Sequence, residues 1–107
     1  MAQYMFQATF NASSWAKMVK EPQDREAAMR PAIEKLGGKL LGFWMAFGES
    51  DTVMIVELPD NVTAASASMA AAASGGIASV RTTVLMSMEE GMKAMRKASA
   101  SGYRPPA

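Results

Sequence analysis

Residues Tyr4–Phe10 alternate: Tyr4, Phe6, Ala8 and Phe10 fall on one side, Met5, Gln7 and Thr9 on the other. A period of two predicts a strand. Asn11–Ser14 supplies helix-capping side chains, and Trp15, Met18 and Val19 follow at helical spacing. Glu21-Pro22-Gln23-Asp24 interrupts this helix. A longer one is expected to run to about Leu36, with Met29, Ile33 and Leu36 on one stripe. Pro31 removes a backbone hydrogen bond, so a kink or break is expected near Arg30. Gly37-Gly38 ends the helix, because glycine tolerates the left-handed conformation found there.

Lys39–Phe47 reads as a second strand and Asp51–Leu58 as a third, joined by a tight turn at Gly48-Glu49-Ser50. So short a connection implies an antiparallel hairpin. Pro59-Asp60-Asn61 stops the strand and caps a helix over Val62–Ser74, which Gly75-Gly76 ends. Ile77–Met86 holds a fourth strand, and Ser87-Met88-Glu89-Glu90 is a capping box for a last helix to about Ser99. Met88, Met92 and Met95 form the stripe expected to be buried. Residues 101–107 are an irregular tail. The order strand, helix in two pieces, strand, strand, helix, strand, helix makes one α+β domain over residues 1–107. It is a ferredoxin-like βαββαβ plait with an extra C-terminal helix.

Helices in such a plait cover one sheet face, and the other should then be polar. It is not. In the second strand Leu41, Phe43, Met45 and Phe47 alternate with Leu40, Trp44 and Ala46. In the third, Val53 and Ile55 point one way, Met54 and Val56 the other. A chain of 107 residues has too little material to cover both faces. An exposed apolar face of this kind marks an interface. The expected partner is a second copy, sheet on sheet, closing a dimeric α+β barrel or building a higher multiple.

Composition removes several classes of chemistry. There are no cysteines and no histidines, so disulfides, thiolate nucleophiles, zinc–thiolate sites and histidine bases are excluded. No metal site and no cofactor are expected. Eleven basic residues against ten acidic leave a net charge of +1, unlike a nucleic-acid-binding tail. The third strand also lacks the basic and aromatic signature of RNA-binding sheets. No phosphate loop, nucleophile elbow or dinucleotide fingerprint occurs. The longest uncharged stretch, Asn61–Val80, is dominated by Ala, Ser and Gly and is broken by Gly75-Gly76, so no membrane span is expected. The first basic residue is Lys17, no leader pattern stands out, and a cytoplasmic location is the default expectation.

Four motifs, in order along nearly the whole chain, resemble the GYD domain family. They are Glu34-Lys35-Leu36-Gly37-Gly38-Lys39, Ala46-Phe47-Gly48-Glu49-Ser50-Asp51, Glu57-Leu58-Pro59-Asp60-Asn61 and Gly102-Tyr103-Arg104-Pro105-Pro106. The family's namesake motif is Gly-Tyr-Asp. Here Gly48 and Asp51 match it and Ser50 stands at the tyrosine position. The resemblance implies a dimeric α+β barrel of bacterial origin and little chemistry. Kinship with small cofactor-free monooxygenases is an analogy of fold.

Candidate chemistry is sparse. Glu49 and Asp51 lie two residues apart in the hairpin turn. They suit an acid–base pair or a hard cation, or Asp51 simply caps the turn. Glu57 and Arg81 lie in predicted strands and can pair across the sheet, as a site or as a register-fixing ion pair. Glu49, Asp51 and Arg81 are thus the catalytic candidates. Tyr4, Trp44 and Thr82 are the candidates for lining a ligand pocket between sheet and helices. The 11 methionines suit a pliable core, an adaptable surface, oxidant scavenging or thioether capture of copper(I). Three functions remain: binding of a small apolar or aromatic molecule, cofactor-free oxygenase or isomerase catalysis, and structural assembly. Binding ranks first, because conventional acid–base routes are few here.

Overall fold

A computed structural model describes residues 1–106 of the chain; the last residue of the expected tail lies outside them. The elements are β1 (Ala2–Phe10), α1 (Ala12–Lys20), α2 (Arg25–Lys35), β2 (Lys39–Met45), β3 (Thr52–Leu58), α3 (Asn61–Ala73), β4 (Ile77–Leu85) and α4 (Met88–Ser99). The sheet order is β2-β3-β1-β4, and every neighbouring pair is antiparallel. This is the ferredoxin-like plait, an open four-stranded sheet with an added C-terminal helix.

Local chemistry sets the helix ends. Asn11, Asp24, Asp60 and Ser87 each accept an amide hydrogen from the first turn of the helix they precede. The Ser87–Glu90 capping box forms in both directions. At the end of α2 the Gly38 amide donates to the Ile33 carbonyl at 3.1 Å and the Gly37 amide to the Glu34 carbonyl at 2.9 Å. Gly37 has φ +82°, so the full Schellman motif closes there.

The core lies between the sheet and α2 and α3. Tyr4 and Phe6 of β1, Met54, Val56 and Leu58 of β3, Leu40 of β2, Ile33 of α2 and Ala64 of α3 are buried together. β3 shows the plainest alternation: Thr52, Met54, Val56 and Leu58 are buried and the residues between them half-buried. The intervening residues belong to the open face of the sheet.

Three local expectations need correction. The register of β2 shifts between Leu40 and Gly42, so Leu40 pairs with Val56 and Phe43 with Met54 on the helix-covered face. The extra residue of a bulge breaks strict alternation, and Leu41 is left exposed. β2 also stops at Met45, and Phe47 stands wholly in solvent. α2 runs unbroken through Pro31, its lost hydrogen bond offset by packing of the opposite stripe on the sheet. On α3 the inward residues are Ala64, Ala67 and Ala71, whereas Ala65 and Met69 lie exposed toward β4 and Ala72 faces solvent.

The largest correction concerns α4. Met88, Met92 and Met95 are 74%, 48% and 64% exposed. The helix packs against no other element to any substantial extent. The radius of gyration is 17.0 Å, against about 13 Å for a chain of this length folded into one ball. No described helix is long and apolar enough to cross a membrane.

Candidate ligand cavity

Two concavities open on the helix-covered side. The larger, of about 460 Å³, lies between the sheet and α1, α2 and α3. Alternation in β1 and β3 sends Phe6, Phe10 and Met54 into it, and the β2 bulge adds Phe43. The α2 stripe Met29, Ile33 and Leu36 forms one wall, and the small residues Ala67, Ala70 and Ala71 of α3 form another. Small side chains on α3 leave the space open. Phe10 is held edge-on by Trp15, ring centroids 5.3 Å apart at 82°. Among the buried lining residues Thr52 is the polar one. Lys17, Gln23 and Arg25 also line it and all three reach solvent, and the serines Ser14, Ser68 and Ser74 add short polar side chains.

The smaller cleft, of about 300 Å³, runs between α3 and β4. Tyr4 and Thr82 both line it, with Asn61, Met69 and Val84. The Tyr4 hydroxyl donates to Asn61 Oδ1 at 2.6 Å, so its polar end is already engaged. Trp44 does not join them. It pairs with Val53 on the open face, and its indole folds back over Gly42. Of the three residues expected to share a pocket, the structure brings two together.

The turn carboxylates also part company. One oxygen of Asp51 accepts the Phe10 amide at 2.9 Å, tying the β2–β3 connection to the end of β1. Glu49 is exposed. Glu57 and Arg81 lie on opposite sides of β1, registered against Gln3 and Gln7. They are therefore four positions apart along that strand, about 13 Å, and do not pair. Glu57 faces Lys39 instead. Among the described residues the one ion pair is Arg30–Glu26 at 2.8 Å, and no three carboxylates gather as cation ligands.

The cavity residues Arg25, Lys17 and Gln23 escaped the sequence reading. A signal was present: Arg25 precedes Met29 by four residues, so both lie on one side of α2. In the structure the Arg25 guanidinium reaches the Met29 sulfur at 3.9 Å.

The architecture thus defines a small α+β protein of ferredoxin-like topology with a mainly apolar cavity under its helices. The GYD domain model matches residues 4–95, and the chain belongs to that family. Neither the search of curated proteins nor that of solved structures found a match.

Proposed function

We propose that this protein binds a small apolar or aromatic molecule in the cavity between its sheet and helices, and that it does so as a homo-oligomer. The cavity of about 460 Å³ carries the reading. It falls in the size range of small-molecule sites, and apolar walls with few polar groups are the usual composition of such sites. No constellation of acid and base surrounds it, so binding is preferred to turnover.

Self-association has separate support. The open face carries Met5, Val53, Ile55, Leu85 and a half-exposed Trp44, and α4 holds an unused methionine stripe. These side chains make an apolar patch among Gln3, Gln7, Glu57, Arg81 and Thr83 of the same face, and a second copy meeting the sheet, in a dimer or a higher even multiple, would cover it.

Native mass spectrometry of protein purified gently from cells tests both parts. A mass at twice 11.4 kDa or a higher even multiple, with a small added mass, is expected. A monomer overturns the shared sheet face. An oligomer that stays free of small molecules, and that takes up none from a library of aryl compounds, overturns the binding reading.

A further inference from the structure

Charge around the cavity is one-sided. The charged residues that line it are Lys17 and Arg25, both cations, and no carboxylate joins them. Lys17 sits in the last turn of α1, where the helix dipole favours a cation. Arg25 has no such reason to be where it is. It occupies the first position of α2, the end at which the dipole opposes positive charge. The neighbouring Asp24 is engaged in capping, its carboxylate accepting the Ala27 amide at 3.1 Å, and Glu26 is paired with Arg30.

The contacts that Arg25 does make are weak substitutes for an anion. One guanidinium nitrogen donates to the Gln23 amide oxygen at 3.0 Å, the other to the Met29 thioether at 3.9 Å. A guanidinium offers five donors in a planar fork suited to a carboxylate. It is half-buried here, so its charge is less screened than that of a fully exposed side chain. Inward of this rim stand Phe6, Phe10 and Phe43.

We infer that the cavity takes an amphipathic carboxylate, its aryl or alkyl body among the phenylalanines and its anionic end bound at the rim by Arg25 and Lys17. This rests on the cavity being a binding site, as proposed above, and adds the charge of the ligand. Arg25 supplies the paired hydrogen bonds, and Lys17 a second positive charge. A neutral molecule of the same shape fills the same space and leaves the guanidinium without its partner.

Phenylbutyrate and phenylbutanol separate the two ideas, because they share a body and differ in charge. Calorimetric titration at low salt should show the carboxylate binding about tenfold more tightly, the scale of a charge-assisted pair. Added salt should weaken the carboxylate and spare the alcohol. In Arg25→Gln the preference should collapse while alcohol affinity stays, which also shows that the variant is folded. Equal affinities in the natural protein overturn the anionic ligand and leave the cavity reading standing. A preference that survives in the Arg25→Gln, Lys17→Gln double variant overturns the assignment to this rim. Binding of neither compound overturns this inference alone where the aryl library yields a neutral binder, and overturns the cavity reading with it where the library yields none.

Discussion

Gly38 occupies a position that no other residue fits. A methyl group there would lie 2.6 Å from Leu58 Cδ2, 3.3 Å from Ile33 Cγ2 and closer still to the Glu57 carbonyl oxygen. The backbone comes this near because the Schellman turn lays the end of α2 directly onto β3. Gly38→Ala should therefore cost about 1–3 kcal/mol, the range for overpacking a tight site. Urea denaturation measures it, and a loss below a few tenths would show that β3 yields more easily than the geometry implies. Both glycines of the pair were legible as a helix end. The contact with β3 was not, since it depends on which strand β2 chooses as its neighbour.

Among the elements, α3 depends most visibly on one side chain. Asp60 accepts the Thr63 hydroxyl at 2.7 Å and the Thr63 amide at 2.8 Å. The hydroxyl bond first, then the amide bond, hold its pKa below the ordinary 3.8. A lowered value in the folded state means that stability is gained at higher pH. The contribution is complete above the ordinary value and is lost as pH falls through the folded one. An asparagine side chain in the same place would cap almost as well but cannot titrate. Melting temperatures of the natural protein and Asp60→Asn, followed by circular dichroism, should differ at neutral pH. The difference should change as pH falls below the ordinary 3.8 and through the lowered value of the folded state. A difference constant over that range would remove the coupling. Elements that defied expectation, β2 and α4 foremost, did so for non-local reasons. The β2 bulge is set by pairing with β3, and the α4 stripe finds no surface within its own chain.

For the molecule as a whole, the open sheet face and α4 leave apolar surface that a single chain does not cover. Trp44 lies at the β2–β3 side of that face, over Gly42 and beside Val53 and Ile55 in register. If a second copy seals the face, Trp44→Lys should weaken self-association by about thirtyfold or more, the effect of losing a buried aromatic anchor. Sedimentation velocity over a range of concentrations reads this, with a circular dichroism melt to show that the monomer still folds. An unchanged oligomer would move the interface elsewhere, and the methionine stripe of α4 would be the next surface to substitute.

Order of elements, helix caps, glycine stops and the antiparallel hairpin were all readable along the chain, because each rests on residues within a few positions of one another. Asn11, Asp60 and the Ser87–Glu90 box acted where they stand, and alternation in β1 and β3 sorted their residues onto two faces, though which face the helices cover was not readable from it. The candidate site was much less legible. Tyr4 and Thr82 meet because β1 and β4 pair, and Trp44 is kept from them by the sheet itself. Glu57 and Arg81 are held apart because β1 inserts between their strands. The cavity exists because three separated helices stop short of filling the space above the sheet, and Arg25 reaches it only through the way α2 lies across the sheet. Local propensity and spacing act within a few residues, so the sequence determined the elements. Strand order, bulge register and the gaps between packed layers arise from contacts distant in the chain, and only the tertiary structure decided them.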